Sequence, residues 1–155
     1  MLIGQYEVQA ELGHGGMGVV YRAIQPSLNR VVALKTINAS IIAEHPEALV
    51  RFRREGQIAA GLQHPGIVKV YEASLNEPPY YIAMDYLPGG DLEQRLRRGP
   101  VPIPDALHIL AQVSSALDYA HPNIVHRDIK PANIMFDAAG RPVLIDFGIV
   151  RDLRA

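Results

Sequence analysis

The sequence contains no cysteine, so it has neither a disulfide frame nor a thiolate metal site, and a reducing cytoplasm suits it. No apolar run approaches the roughly 18 residues that cross a bilayer, and no membrane segment is expected within the chain. The first residues, MLIGQ, lack the basic start and long apolar core of a signal peptide. Charge of one sign is missing too. Fifteen basic against 16 acidic side chains leave a net charge of −1, which gives no electrostatic reason to expect nucleic acid as a partner. Repeats and low-complexity tracts are absent. What remains is 155 residues of ordinary globular composition, enough for one domain with a sizeable core.

The first half reads as strands. YEVQAEL (6–12) and VVYRAI (19–24) flank a glycine-rich turn, and RVVALKTI (30–37) follows. ALVRFRREGQIAAGL (48–62) has helical period and is stopped by HPG. IVKVYEA and YYIAMDYL read as two further strands, giving five strands and one helix before PGG at 88–90. The second half is more helical. Asp91 can cap a short helix to about Arg98, with Gln94 three residues on. Pro104 and Asp105 open a longer helix to about Ala120, and NIMFD and PVLID follow as short strands around AAGR.

LGHGGMGVVY carries Gly13, Gly15 and Gly18 in the spacing G-x-G-x-x-G. A dinucleotide-binding fold needs a helix after the third glycine, but Val19, Val20 and Tyr21 favour a strand. A strand–glycine loop–strand can lie close over phosphates because no side chains intervene. A plain flexible hairpin reads the same residues. Lys35 sits in the apolar VVALKTI, and Glu55 falls on the helix stripe of Ala48, Phe52, Ala59 and Leu62. A carboxylate on a core-facing stripe is costly unless paired, and Lys35 is its natural partner, whether for structure or for chemistry.

IVHRDIKPANIM (124–135) places Asp128, Lys130 and Asn133 within six residues between apolar pairs, and Asp146 follows in VLIDFG, where Gly148 frees the backbone. Oxygen ligands converging from a loop and a strand end suit a hard cation such as magnesium. A nearby carboxylate not committed to metal can accept a hydroxyl proton.

In this order, GHGGMGVV, VALK, a helix glutamate, HRDIKPAN and DFG, the chain resembles the protein-kinase family, and its phrasing is most similar to bacterial serine/threonine kinases of the eukaryotic-like type. The resemblance implies an α+β, bilobal kinase-like fold: a five-stranded N-lobe with one helix over residues 1–87, and the first part of a mainly helical C-lobe over 88–155. It implies ATP and magnesium as cofactors and protein Ser/Thr hydroxyls as substrates. Gly13, Gly15 and Gly18 would cover the phosphates, and Lys35, fixed by Glu55, would hold two of them. Val20, Ala33 and Met135 would sandwich the adenine, with Met84 guarding the back of the pocket and the backbone of Asp85, Tyr86 and Leu87 at the adenine edge. Asp91 would contact ribose. Asp128 would take the substrate proton, Lys130 would neutralise the transferring group, and Asn133 and Asp146 would hold magnesium.

The same resemblance marks departures. The activation segment, the APE motif and the later helices are absent from these residues, Arg127 lacks its usual phosphate partner, and a truncated form is expected. The whole protein could carry a membrane anchor downstream. In the long helix, Leu107, Leu110, Ser114 and Leu117 form one stripe and Ile109, Val113, Ala116 and Ala120 another, so one should lack cover. An exposed apolar patch around Ile109 and Val113 is expected, a seat for self-association or a partner. An inactive nucleotide-binding module or a non-functional fragment is the alternative, against which Lys35, Glu55, Asp128, Asn133 and Asp146 are all present.

Overall fold

The computed structural model describes residues 1–15, 18–122, 124–126, 128–146 and 151–152. They form two compact units: Met1–Ala60 with Lys69–Tyr86, and Gly61–Val68 with Leu87–Ala155. This differs from the expected division after residue 87 in two respects: Leu87 falls in the second unit, and so do residues 61–68. Residues 61–68 belong with the second unit, because Leu144 N donates to Gly66 O at 2.7 Å and Val68 N to Leu144 O at 3.1 Å.

The first unit is an antiparallel sheet. Its strands are β1 (Leu2–Ile3), β2 (Tyr6–Gly15), β3 (Gly18–Gln25), β4 (Arg30–Ile37), β5 (Val70–Ser74) and β6 (Tyr80–Asp85), in the order β1-β2-β3-β4-β6-β5. The sixth strand beyond the expected five is the two-residue β1, which pairs Leu2 with Glu7 and Ile3 with Tyr6. A short helix α1 (Ala39–Glu44) also precedes the expected one. Asn38 caps it by accepting from Ile41 N at 2.9 Å, and Pro46 forbids its continuation through His45. Helix α2 then runs Pro46–Ala60.

Alternation gives the sheet two cores. Tyr6, Ala23, Val32, Leu34, Tyr81 and Ala83 fill one face, where the Tyr6 and Tyr81 rings meet edge to face with centroids 5.5 Å apart. Ile37 and Ile82 meet Ala48 and Phe52 of α2 on the other. Burying a side chain of that size contributes about 1.5–3 kcal/mol. Gly56 lets α2 come this close: a Cβ there would lie 3.1 Å from Leu75 and 3.2 Å from Ile82.

The second unit contains α3 (Leu92–Arg97), α4 (Ile103–Ala120) and the strand pairs β7 (Ile124–Val125) with β10 (Arg151–Asp152) and β8 (Ile134–Phe136) with β9 (Pro142–Leu144). The capping box at α3 is formed as the sequence predicts, with Gln94 N donating to Asp91 Oδ1 and Asp91 N to Gln94 Oε1. The patch expected at Ile109 and Val113 is overturned. Ile109, Val113, Ala116 and Ala120 are the buried stripe, while Leu107 and Leu110 are about 60% and 61% exposed. Backbone approach explains the choice. Gly66 sits so close to α4 that a Cβ on it would be 3.2 Å from Ala116 Cβ, and the small alanine on this stripe admits that contact.

Candidate active site

The site residues fall into two groups, one in each unit. In the first unit the hairpin β2–β3 pairs Gly13 with Val20 and Gly15 with Gly18, so a strand follows the glycines, as the β-branched residues require. A Cβ on Gly18 would lie 1.9 Å from the Thr36 carbonyl oxygen, so its glycine is demanded by β4. Gly13 is different. Nothing lies within 4 Å of a Cβ placed there, and its φ asks for no glycine.

Register places the next residues on one face. Val20 lies opposite Lys35, Lys35 opposite Ile82, and Ala33 opposite Met84. This is the face that α2 covers, so Glu55 reaches Lys35: Nζ to Oε1 is 2.6 Å. The carboxylate side chain is 8% exposed and the lysine 26%. The expected pair therefore forms, at the edge of a core. Asp85 lies opposite Val32 and so points to the other face, where the Tyr71 hydroxyl donates to its Oδ1. Its backbone N–H goes to Lys69 O at 2.9 Å.

In the second unit, Gly89 N donates to Phe136 O and Phe136 N to Gly90 O, both at 2.9 Å, and Asp91 bridges Met135. That docks the segment after Leu87 onto β8 beside the polar loop. Within the loop, Asn133 Nδ2 donates to Asp128 O at 2.9 Å and to Asp128 Oδ2 at 3.1 Å. Both partners are pure acceptors, so the amide orientation is fixed chemically and Asn133 turns its Oδ1 away from them. Lys130 Nζ lies 3.6 Å from the same Oδ2. Ile145 N donates to Asn133 O at 2.9 Å, which sets the following Asp146 beside this loop. Asp146 has φ +62°, a left-handed conformation uncommon outside glycine and tolerated best by Asn and Asp.

His126 is a residue to which the sequence reading gave no role. It is buried, its Nδ1 accepts from Asp128 N at 3.1 Å, and its Nε2 donates to Ile145 O at 3.1 Å. One ring thus ties the backbone of Asp128 to the residue before Asp146. Its only sequence signal was adjacency to Arg127 and Asp128. Arg127 and Gly148, also singled out in the sequence, lie outside the described residues. As a cation site the donor set is sparse: one amide oxygen and one carboxylate, with no cluster of three or more acidic, histidine or cysteine side chains among the described residues. Such a set fits a hard cation that keeps waters and takes further oxygens from phosphate.

Residues 6–155 match the protein kinase domain family. The chain belongs to the protein kinase family. Among its relatives it is 43% identical over 153 residues to the serine/threonine-protein kinase PknJ of Mycobacterium tuberculosis, an overlap covering 96% of this chain and 26% of that protein. It is 43% identical over 156 residues to PknB of Mycobacterium leprae, covering 97% and 25%, and 42% identical over 152 residues to PrkC of Bacillus subtilis, covering 97% and 23%. The chain thus spans about a quarter of the length of the curated relatives it matches. Among the described residues no helix is long and apolar enough to cross a membrane.

Proposed function

We propose that this kinase chain supplies the nucleotide and catalytic-loop portion of a serine/threonine protein kinase, transferring the γ-phosphoryl group of ATP to a protein hydroxyl. The observation that carries the reading is the Lys35–Glu55 pair on the sheet face shared by Val20, Ala33 and Met84. Lys35 would hold the α and β phosphates, with its ammonium aimed by the buried carboxylate. Gly13, Gly15 and Gly18 would cover the phosphates. At Gly13, where neither crowding nor a positive φ requires glycine, the open space beside the strand would admit a phosphate. Val20, Ala33 and Met135 would enclose the adenine, and Met84 would limit its depth. Its edge would meet the backbone of Asp85, Tyr86 and Leu87. Because Asp85 N–H is already given to Lys69, Asp85 would contribute its carbonyl. Asp91 uses Oδ1 for the helix cap and would offer Oδ2 to ribose.

Catalysis here is positioning and charge. Lys130 and Asn133 both engage Asp128 Oδ2, so Oδ1 is the oxygen that would accept the proton of the substrate hydroxyl. The freed oxygen bonds the γ-phosphorus as the bond to the β-phosphate oxygen breaks, leaving ADP. Lys130 would offset charge on the group in transit. Asn133 Oδ1 and Asp146 would hold magnesium, which when bound neutralises phosphate charge. The reading implies a compartment that supplies ATP, the cytoplasm. Incubating the protein with labelled Mg-ATP and a Ser/Thr-rich acceptor should label serine or threonine, and Asp128→Asn should abolish labelling while nucleotide binding persists. Nucleotide binding without any transfer by the whole protein would instead favour an inactive binding module.

A further inference from the structure

Strand β5 carries a register shift: Val70 lies opposite Met84, yet Glu72 lies opposite Ala83. The extra residue is Tyr71. A bulge of this kind re-aims a side chain, and two consecutive residues come to the same face instead of alternating. Glu72 accepts from Tyr6 and Tyr81, while Tyr71 packs against the same core. From there the Tyr71 hydroxyl donates to Asp85, the last residue of β6. Asp85 is therefore gripped twice from β5 and its approach, by Lys69 O at its backbone and by Tyr71 at its side chain.

Tyr71 is itself held. The Arg30 guanidinium carbon lies 3.7 Å from its ring centroid, and Lys69 Nζ lies 5.4 Å from it. Arg30 is tethered by Nη2 to Gln25 Oε1 at 2.7 Å, while its buried Nε makes no hydrogen bond among the described residues, so the ring face is a main part of its seat. Burial, and then the bond to Asp85, push the Tyr71 hydroxyl up to about 12, which keeps it a donor at working pH. Asp85 is the last residue of β6 paired in the sheet among the described residues, and fraying would begin there.

We propose that Tyr71 is a positioning residue: its hydroxyl, steadied by Arg30, fixes Asp85 and with it the Asp85–Tyr86 backbone that meets the nucleotide. The nucleotide half of this statement rests on the function proposed above; the fixing of the backbone does not. Tyr71→Phe keeps the ring under Arg30 and deletes only the donor. Tyr81→Phe is the control, since it removes a hydroxyl from Glu72 on the same face without touching Asp85.

Two readouts on the 155-residue chain decide the matter: amide hydrogen exchange at residues 85 and 86, and the Mg-ATP dissociation constant by calorimetry. Losing one hydrogen bond to a charged acceptor should speed exchange at these amides and weaken binding about three- to tenfold in Tyr71→Phe. Tyr81→Phe should move neither. Faster exchange in a protein whose wild type binds no nucleotide upholds the positioning role and refutes the nucleotide reading. Unchanged exchange, or an unchanged constant where the wild type does bind, overturns the proposal. If Tyr71→Phe does not fold, Asp85→Asn weakens the same bond from its other end and is read in the same two ways.

Discussion

Removing either member of the Lys35–Glu55 pair should be costly, and the two removals should not cost the same. Both variants leave a charge in place of an ion pair, but the two environments differ: the carboxylate side chain is 8% exposed and the ammonium side chain 26%. Breaking a buried pair by deleting one partner costs roughly 3–5 kcal/mol, most of it the desolvation of the charge left behind. Lys35→Met takes the ammonium from a carboxylate that has little route to water and should cost the more, about 3 kcal/mol. Glu55→Gln leaves the lysine, which reaches solvent with a quarter of its side chain and keeps an acceptor of similar shape, so about 1–2 kcal/mol is expected. With a urea dependence of about 2 kcal/mol per molar, the two midpoints should separate by roughly one molar. Lys35→Met combined with Glu55→Leu should recover much of the loss, because an apolar pair of similar volume restores the core without buried charge. Urea unfolding followed by circular dichroism measures all three. If Glu55→Gln were as damaging as Lys35→Met, or if the double variant were merely additive, desolvation would not govern this pair.

Gly18→Ala should destabilise by about 3 kcal/mol, since its Cβ would stand 1.9 Å from the Thr36 carbonyl oxygen and strands β3 and β4 must part. Gly13→Ala, in open space, should change thermal stability by under about 0.5 kcal/mol yet weaken nucleotide binding; a melting curve and a titration separate the two effects. Stability should also fall at alkaline pH. Burial, and then the bond to Glu72, raise the Tyr81 hydroxyl from its ordinary 10.0 to about 12, and Tyr71 is raised likewise by burial and Asp85. A raised value means the fold favours the protonated form. The contribution is complete below pH 10 and lost as pH climbs toward 12, and Tyr81→Phe should make that part of the curve less steep, leaving the share of Tyr71.

Much of this was legible because each signal was overdetermined. Val19, Val20 and Tyr21 after the glycines fixed a strand where a dinucleotide fold needs a helix, and register then carried Val20, Ala33, Lys35 and Met84 to one face. Glu55 stood out as an acid on an apolar stripe, and its partner followed from the cost of burying it. The failures share a different cause. Both stripes of α4 are apolar, so hydrophobicity could not choose between them; the small side chains that admit Gly66 did. The bulge at Tyr71 leaves no mark in a pattern of alternation, because it is the interruption of one. His126 acts through two backbone groups, one two residues on and the other at Ile145 in a later segment, and no spacing rule reveals the second.

The central proposal is that this chain binds magnesium-bound ATP. It is tested most directly by melting the chain with and without millimolar Mg-ATP, beside Lys35→Met and Asp146→Asn. Nucleotide at about 100 times its dissociation constant should stabilise the wild type by roughly 2.7 kcal/mol, seen as a rise of several degrees. Lys35→Met should lose most of that rise, and Asp146→Asn should lose its dependence on magnesium. An unshifted wild-type midpoint, or an equal shift in all three proteins, would contradict the account.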